Sequence, residues 1–237
     1  MDALERHEKA VLYFSGGKDS LACLELARPW LEKLTVLWVD TGAAFEETRL
    51  LMDRVASSVP HFVHVKTDAA EQIARQGWPV DVLPVENHWQ YAQRVPRMQA
   101  YIECCSANLM NPALAAAKSL GATLIVRGQK ASDAHKSALR SGEWTDGFEF
   151  LFPLEGWSDA EVFAYLRERR VEVPEHYGYV NSSLDCWFCT AYLAENAGKM
   201  RYMRERHPER HGEVKRRLSL IGAALREQDA LAAALEA

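Results

Sequence analysis

Short apolar runs alternate with segments of helical periodicity along the first half of the chain. The runs at 11–14, 34–39, 61–66 and 122–126 predict buried β-strands. The segments at 20–33, 45–57, 89–102 and 107–119 carry apolar residues at helical spacing and predict helices. Because strands that alternate with helices usually form parallel sheets, the pattern predicts an α/β fold, with a mostly parallel sheet and helices on both faces.

The second half of the chain is less regular at first and then becomes helical. Residues 77–88 and 174–189 are interrupted by Pro and Gly and predict loops, and the polar residues 131–150 predict a mobile loop. Ser158 followed by Glu161 is the pattern of a capping box and predicts the start of a helix. From residue 190 onward the pattern is helical, with an interruption near Pro208. We therefore predict one large domain over residues 1–192 and a helical extension over 193–237.

Composition and charge exclude several classes of protein. The 237 residues are 48% apolar, with 28 Lys and Arg against 33 Asp and Glu, which is typical of a globular chain and excludes a disordered, collagen-like or disulfide-scaffold protein. The net charge of −5 does not call for a nucleic acid or an anionic membrane as partner. No apolar stretch approaches the roughly 18 residues of a membrane span, and the first residues do not resemble a signal peptide. We therefore expect a cytoplasmic protein with reduced thiols and no membrane partner.

A glycine-containing loop follows the first predicted strand and precedes the first predicted helix. It reads Ser15-Gly16-Gly17-Lys18-Asp19-Ser20. Two glycines let the backbone N–H groups approach an anion, the helix N-terminus adds its dipole, and Lys18 supplies a cation. The Walker spacing is absent, and a plain strand–helix turn is the alternative. The sequence therefore predicts a phosphate site that differs from the common P-loop.

A second candidate position lies at the end of the second predicted strand, which reads Asp40-Thr41-Gly42. In a doubly wound sheet, ligands bind beyond the carboxyl ends of the strands. The Asp40 carboxylate could hold a metal ion or a nucleotide hydroxyl, and an Asp that begins a turn before Gly42 is the alternative. Two further polar residues, Asp133 and His135, follow the fourth strand near the predicted site, and we expect a surface role for each, with catalysis as the alternative.

The cysteines fall into two close pairs and one isolated residue. Cys104 and Cys105 are adjacent, Cys186 and Cys189 form a C-x-x-C pair, and Cys23 is expected to be a small core residue. Four thiolates can hold a tetrahedral zinc ion or a [4Fe–4S] cluster. Adjacent cysteines fit poorly on one zinc ion, so the spacing favours the cluster, with zinc and inert buried thiols as alternatives.

These motifs together resemble one protein family. The loop is similar to the PP-loop of the ATP pyrophosphatase, or adenine nucleotide α-hydrolase-like, superfamily, whose members have a Rossmann-like fold. Residues 40–48, 103–105, 153–165 and 178–190 are similar to motifs of the phosphoadenosine phosphosulfate (PAPS) and adenylylsulfate (APS) reductase branch, so the resemblance covers about residues 11–192.

The resemblance implies an ATP or related adenine nucleotide, a Mg²⁺ ion, and a [4Fe–4S] cluster on Cys104, Cys105, Cys186 and Cys189. It implies catalytic roles for Lys18, Asp40 and Lys130. The implied nucleotide-binding residues are Ser15, Gly16, Gly17, Lys18, Asp19, Ser20, Asp40, Thr41, Gly42, Gly128, Lys130 and Lys136.

The sequence departs from the family in two places that concern chemistry. Gly128-Gln129-Lys130, with Lys136 further on, stands where family reductases carry G-x-R and another arginine, and lysine lacks the bidentate fork of arginine. Those reductases also use a late cysteine in an ECGLH-type segment as nucleophile, and this sequence has no cysteine after Cys189. Both departures weaken an assignment as an ordinary sulfonucleotide reductase.

We therefore predict an enzyme that couples ATP-dependent adenylation, with release of pyrophosphate, to sulfur transfer onto a nucleic acid or a small acceptor. A sulfur or electron donor protein is the expected partner. Residues 199–217 hold eight Lys and Arg against three Glu and could contact nucleic acid, with a solvated helix face as the alternative. Two other functions stay open: sulfonucleotide reduction with an external thiol, and a non-catalytic nucleotide-binding sensor or assembly subunit.

Overall fold

A six-stranded sheet forms the centre of the computed structural model, which describes residues 1–80, 98–133, 136–184, 186–191 and 197–235. The strands are β1 (Ala10–Tyr13), β2 (Leu34–Asp40), β3 (Phe62–Lys66), β4 (Trp78–Val80), β5 (Met98–Ala100), β6 (Leu124–Val126), β7 (Trp144–Thr145) and β8 (Phe148–Leu151). The main sheet has the order β3-β2-β1-β6-β8-β7, and β4 pairs with β5 in a separate two-stranded sheet. Only the β7–β8 pair is antiparallel among the described strand pairs.

Helices cover both faces of this sheet, as predicted. They are α1 (Asp2–Arg6), α2 (Lys18–Leu26), α3 (Glu46–Ser58), α4 (Ala69–Gln76), α5 (Tyr101–Cys105), α6 (Asn111–Ser119), α7 (Asp159–Glu168), α8 (Ala197–Arg206) and α9 (Pro208–Leu235). Short 3₁₀ helices occupy Arg28–Lys33 and Glu175–Gly178, and a π-helical turn at Ser106–Met110 joins α5 to α6.

The alternation of side chains along the strands divides the core into two layers. Leu12 and Leu124 are buried on the face that packs against α2, α3 and α7. Val11 and Ile125 are buried on the opposite face, against the alanines of α6. Because neighbouring residues of a strand point to opposite faces, a fully apolar strand is the expected pattern for a sheet covered on both sides.

The order in which the strands are added to the sheet reverses between β1 and β6: β2 and β3 lie on one side of β1, and β6 lies on the other. Strand β1 pairs in parallel with β2 on one side and with β6 on the other, and Ala10 is in register with both Leu34 and Leu124. The carboxyl ends of the three strands therefore meet at one edge of the sheet. In doubly wound folds the ligand crevice lies at this edge, where the strand order reverses.

The structure corrects three of the sequence-based predictions. The segment 131–150, predicted as a mobile loop, contains β7 and the fully buried β8. The helix predicted over 20–33 ends at Leu26 and continues only as the 3₁₀ helix, since Pro29 cannot extend an α-helix. Of the helix predicted over 89–102, residues 98–100 form a strand, while 89–97 lie outside the described residues, as do 81–88 of the predicted loop.

Other predicted elements are confirmed. The apolar runs form β1, β2, β3 and β6 within about two residues of their predicted bounds. The capping box is present, because the Glu161 N–H donates to Ser158 Oγ at 3.3 Å and the Ser158 N–H donates to Glu161 Oε2 at 2.7 Å. Cys23 is fully buried in the core, as expected.

The C-terminal helices pack onto the sheet domain next to its crevice. Tyr202 and Met203 of α8 and Val214 of α9 form a buried cluster with Phe45, which immediately precedes α3. The boundary predicted at 192/193 lies outside the described residues, so the division into two units stays a prediction. In the part of the chain that the structure describes, no helix is long and apolar enough to span a membrane.

Candidate functional site at the carboxyl edge of the sheet

The glycine loop between β1 and α2 is held in shape by its own hydroxyl groups. The Gly16 N–H donates to Ser20 Oγ at 3.1 Å, and the Gly17 N–H donates to Ser15 Oγ at 3.3 Å. Gly16 has a φ of +80°, a conformation that side-chain-bearing residues rarely adopt. The Lys18 N–H donates to the hydroxyl of Tyr177 at 2.8 Å, which ties the loop to the 3₁₀ helix Glu175–Gly178.

A second glycine brings the end of β6 against this loop. A Cβ on Gly128 would lie 2.8 Å from the carbonyl carbon and from Cβ of Asp19. No larger residue fits there without moving the start of α2. The close contact places the segment after β6, with Lys130, directly beside the glycine loop.

Two buried lysines and three carboxylates form a charged cluster at this point. Lys18 Nζ lies 2.9 Å from Asp19 Oδ2 and 2.8 Å from Asp159 Oδ1. Lys130 Nζ lies 3.0 Å from Asp19 Oδ2, 2.8 Å from Asp133 Oδ1 and 3.4 Å from Asp159 Oδ1. Both lysine side chains are 3% exposed, whereas Asp159 is 50% exposed. Lys18 and Lys130, which the sequence predicted as site residues from two different segments, thus both contact Asp19 and Asp159.

Every member of the cluster whose pKa is shifted is stabilised in its charged form. Burial alone would lower the pKa of Lys130, but the hydrogen bond to Asp133 and the charge of Asp19 outweigh it and raise that pKa. Burial would raise the pKa of Asp159, but the hydrogen bond and charge of Lys18, followed by those of Lys130, lower it. Two cations therefore face three anions, so the carboxylates outnumber the ammonium groups by one.

Asp40 lies in a different set of contacts from the lysine pair. Its Oδ1 accepts a hydrogen bond from the Gly42 N–H at 2.9 Å, and its Oδ2 is 3.5 Å from His64 Nε2 and 4.0 Å from Arg49 Nη2. The turn after β2 is thus stabilised by the Asp40 carboxylate, as the structural alternative for this residue predicts. Its catalytic role stays a prediction.

The neighbouring Thr41 connects this turn to the C-x-x-C pair. Its Oγ1 lies 3.1 Å from Cys186 Sγ, which is within hydrogen-bond distance for a sulfur atom. The residues that follow β2 therefore contact the cysteine segment directly. Lys136, also predicted to bind nucleotide, is exposed and donates to the carbonyl of Ala131.

The C-x-x-C turn is held by a buried lysine from α8. Lys199 is 5% exposed, and its Nζ donates to the carbonyl oxygens of Cys186 at 2.9 Å and Cys189 at 3.1 Å. The Cys189 N–H donates to the Cys186 carbonyl at 3.0 Å and closes the turn. A buried ammonium group that binds two carbonyls of one turn fixes the relative position of the two thiols.

Cys104, the first cysteine of the other pair, is buried near the end of α5. Burial raises the pKa of the Cys104 thiol to about 11, and the charge of Cys189 adds to this rise. Asn108 Nδ2 lies 3.7 Å from Cys104 Sγ and donates to the Cys104 carbonyl at 3.0 Å. Cys105 follows Cys104 at the end of α5. That the two cysteine pairs form one site stays a prediction.

These thiols fit a cluster in chemical type. Thiolates are the usual ligands of iron–sulfur clusters and of structural zinc. Among the described residues, however, no three His, Cys, Asp or Glu side chains lie close enough to hold a metal ion. The cluster itself stays a prediction.

Several residues of the site were not found from the sequence. Asp159 was interpreted only as part of a helix start, although it contacts both lysines, and Asp133 was expected at the surface, although it pairs with Lys130. Nothing local to Tyr177 indicates that its hydroxyl accepts from the loop. His135 lies outside the described residues.

A cleft opens beside the glycine loop. One wall comes from the loop, one from the first turns of α3, and one from the segment 174–184. The lining residues are Ser15, Gly16, Gly17, Glu47, Thr48, Leu51, Pro174, His176, Ser183 and Leu184.

Comparison with known families gives one match that covers most of the chain. The model of the phosphoadenosine phosphosulfate reductase domain matches residues 9–192. An uncharacterised protein of Methanocaldococcus jannaschii is 25% identical over 203 residues, which are 83% of this chain and 44% of that protein. Sulfate adenylyltransferase subunit 2 of Mycobacterium tuberculosis is 27% identical over 181 residues, which are 72% of this chain and 58% of that subunit.

A solved structure with the same fold supports this match. The crystal structure of PAPS reductase from Candida auris, a phosphate complex, superposes with a TM-score of 0.50 at 21% identity, covering 74% of this chain and 81% of that one. The chain spans about half the length of the curated relatives it matches, 44% of one and 58% of the other. On the extent of the domain match, the chain belongs to the phosphoadenosine phosphosulfate reductase family of PP-loop proteins.

Proposed function

We propose that the protein is an enzyme that binds an adenine nucleotide at the glycine loop and transfers its adenylyl group to an acceptor, with release of pyrophosphate. The observation that carries this proposal is the cluster in which Lys18 and Lys130 lie together beside the loop. Two buried ammonium groups next to a glycine loop and a helix N-terminus suit a chain of phosphates. The relatives named sulfate adenylyltransferase subunit 2 also support adenylyl transfer.

The carboxylates of the cluster decide how phosphates would enter. Asp19 and Asp159 neutralise the lysines, so bound phosphates must either replace these carboxylates or be accompanied by a cation. Mg²⁺ is usually held by one or two carboxylates together with substrate phosphates, and carboxylate oxygens of this kind fit it. Asp19, Asp159 or Asp40 would hold the ion, which supplies charge neutralisation when bound.

The chemical step follows from this arrangement. An acceptor oxygen forms a bond to the α-phosphorus, the bond from that phosphorus to pyrophosphate breaks, and pyrophosphate leaves. Lys18 and Lys130 stabilise the negative charge that develops on the phosphate oxygens, because fixed charges in a buried site need no reorganisation. A sulfur nucleophile then forms a bond to the acceptor atom that carries the adenylated oxygen, the bond between that atom and the oxygen breaks, and AMP leaves with the oxygen. This second step couples adenylation to sulfur transfer.

The cysteine pairs would serve the sulfur half of the reaction. Cys104, Cys105, Cys186 and Cys189 would hold a [4Fe–4S] cluster, which supplies a place for sulfide or electrons when bound. The contact of 3.1 Å between Thr41 Oγ1 and Cys186 Sγ supports a functional connection between the turn after β2 and the cysteines. Lys199 keeps the C-x-x-C turn in place for this purpose.

Sulfonucleotide reduction is the second candidate. The family match and the shared fold with a PAPS reductase favour it. Residues 190–237 contain no cysteine, so in this case a thiol of a partner protein would attack the sulfur of APS or PAPS.

We also propose a partner protein, a two-part organisation of the chain and a role for the basic segment 199–217. A donor protein for sulfur or electrons would act on a cytoplasmic enzyme with a domain over 1–192 and an extension over 193–237. In the basic segment 199–217, Arg206 pairs with Glu175 at 2.9 Å and Arg217 with Glu213 at 2.7 Å. The guanidinium groups of Arg210 and Arg217 both lie 5.8 Å from the ring of Trp187. These internal contacts favour a structural role over nucleic-acid binding.

Product analysis distinguishes the candidates. Anaerobically purified protein is incubated with ATP, and separately with APS or PAPS and a reductant. Release of pyrophosphate or AMP from ATP supports adenylation, whereas release of sulfite supports reduction. Tight ATP binding without either product would instead indicate the sensor or assembly subunit.

A separate measurement tests the cluster. Iron, sulfide and zinc are determined in anaerobic protein, together with the visible absorption of an iron–sulfur chromophore. Cys186→Ala should lose iron and absorption, while Cys23→Ala, which alters a buried core thiol, should keep both. Stoichiometric zinc without iron would contradict the cluster.

A further inference from the structure

Two residues that line the cleft beside the glycine loop each have a buried polar atom with no hydrogen-bond partner among the described residues. These atoms are Glu47 Oε2 and His176 Nε2. A buried polar atom without a partner costs about 1–3 kcal/mol, so native structures seldom retain one unless a ligand or water completes it. Both residues line the same cleft as Ser15, Gly16 and Gly17.

Glu47 is fixed so that one oxygen is engaged and the other remains open. Its Oε1 accepts from the Tyr202 hydroxyl at 2.7 Å and contacts His207 Nε2 at 2.9 Å. Burial alone would raise the pKa of Glu47, but the hydrogen bonds from its own backbone N–H, Tyr202 and His207 lower it. Glu47 is therefore an anion at neutral pH, and its Oε2 is an acceptor that cannot donate.

His176 presents a neutral ring to the cleft. It is 6% exposed, and its ring lies 4.3 Å from the ring of Tyr177, whose hydroxyl contacts the glycine loop. Burial lowers the pKa of His176 to about 4, so the imidazole is uncharged at neutral pH. A neutral imidazole donates from one nitrogen and accepts at the other, and Nε2 can serve in either sense according to the tautomer.

These two atoms together select the kind of group that can bind. A phosphate or sulfate oxygen would be repelled by the Glu47 carboxylate and belongs on the loop side of the cleft. A hydroxyl group complements both atoms in chemical type, since it can donate one hydrogen bond to Oε2 and accept one from Nε2–H. The site thus places an uncharged hydroxyl beside an anion on the loop.

We propose that Glu47 and His176 form a binding site for a ligand hydroxyl group next to the phosphates, either a ribose hydroxyl of the nucleotide or the hydroxyl of the acceptor. The inference rests on the proposed function, because it takes the glycine loop to hold nucleotide phosphates. It gives a binding role to Glu47, which lies within the motif at 40–48, and to His176, which lies outside the motifs. Tyr202 and His207 are positioning residues for Glu47.

The test uses two substitutions, each of which changes one of the two unpartnered atoms, and one control. Glu47→Gln keeps an oxygen for Tyr202 and His207 and presents an amide N–H₂, a donor, where Oε2 accepts. His176→Phe keeps the ring volume and removes the nitrogen. Glu46→Gln, a charge-matched change at the exposed neighbouring residue of α3, is the control. Circular dichroism and urea unfolding check that each variant folds.

Two measurements distinguish the sources of the hydroxyl. The affinities of ATP, 2′-deoxyATP and 3′-deoxyATP are measured by calorimetry, and the steady-state kcat and KM of pyrophosphate release from ATP are measured with water as acceptor. If the ribose is bound, one deoxy nucleotide binds wild type about tenfold more weakly than ATP, and Glu47→Gln removes this difference. If the acceptor is bound, Glu47→Gln and His176→Phe keep the ATP affinity and lower kcat by about tenfold or more.

The outcomes also separate this site from the proposed function. If wild type binds ATP and releases pyrophosphate while both variants stay within about twofold of it in every measurement, the hydroxyl site is wrong and adenylation stands. If wild type binds ATP without releasing pyrophosphate, adenylation is wrong and the deoxy nucleotides alone decide the site: an affinity unchanged by removal of either hydroxyl overturns it. If wild type binds no ATP, both proposals fall.

Discussion

Lys130 is the residue at which the charged cluster can be tested most directly. Lys130→Met retains much of the side-chain volume and removes a cation whose Nζ lies within 3.4 Å of Asp19, Asp133 and Asp159. The cluster would change from two cations and three anions to one cation and three anions. Because the lysine is 3% exposed, the uncompensated carboxylates cannot be fully solvated around the methionine.

The size of the effect follows from the exposure of the carboxylates. Breaking a fully buried ion pair costs about 3–5 kcal/mol, whereas an exposed pair contributes about 0–1 kcal/mol. The carboxylates here are 26–50% exposed, so the expected loss of unfolding free energy is intermediate, about 2 kcal/mol. ATP should bind about 10- to 100-fold more weakly, since a charge-assisted hydrogen bond to phosphate contributes about 1.5–3 kcal/mol.

Urea unfolding and calorimetry with ATP and with pyrophosphate measure these two effects. Lys118→Met, on the exposed surface of α6, is the matched control and should change neither quantity. The reasoning is refuted if Lys130→Met unfolds within about 0.5 kcal/mol of wild type and binds ATP within about twofold.

Acid titration of the same variant gives an independent check. The pKa of Asp159 is lower in the folded protein than in the unfolded chain, so its stabilising contribution is complete above the unfolded value of about 4. This contribution is lost as the pH falls from about 4 through the folded pKa. Since Lys130 causes part of the lowering, the stability difference between wild type and Lys130→Met should shrink below about pH 4. An unchanged difference would mean that Asp159 does not depend on Lys130.

Two further predictions concern residues that position the site: Gly128 beside the glycine loop and Lys199 at the C-x-x-C turn. Gly128→Ala should lower the unfolding free energy by about 1–3 kcal/mol, because its Cβ would lie 2.8 Å from the backbone at the start of α2. Urea unfolding measures this loss. Gly156→Ala is the control, since the space around Gly156 is open. Lys199→Met should leave both carbonyls of the C-x-x-C turn without their ammonium donor, so iron retention after anaerobic gel filtration should fall. The exposed Lys215→Met should retain its iron, and equal retention in the two variants would contradict the role of Lys199.

Local patterns predicted the parts of the site that are continuous in sequence. The conformation of the glycine loop depends on Gly16 at positive φ, and its charge depends on a lysine at the start of α2. Both residues lie within the six consecutive residues 15–20. The same is true of the capping box at Ser158 and of the apolar strands, since period and turn residues are local properties. The strand β8 was missed because the polar residues that precede it led to one loop prediction for 131–150, although the strand itself, FEFL, is mostly apolar.

Contacts between distant segments could not be predicted in this way. Asp159 reaches Lys18 only because α7 packs against α2, and Glu47 is set by Tyr202 and His207 from helices more than 150 residues later. Nothing in the spacing of these residues encodes the distance between them, because it depends on how whole helices pack on the sheet.

The sequence by itself therefore determined the fold class, the family and the position of the glycine loop, since each depends on periodicity or on a contiguous motif. Only the tertiary structure decided which charges neutralise the two lysines, which lysine holds the C-x-x-C turn, and which atoms of the cleft lack a partner. The physical reason is that charge pairing and hydrogen-bond satisfaction depend on distances of about 3 Å between groups that the chain brings together only when it folds.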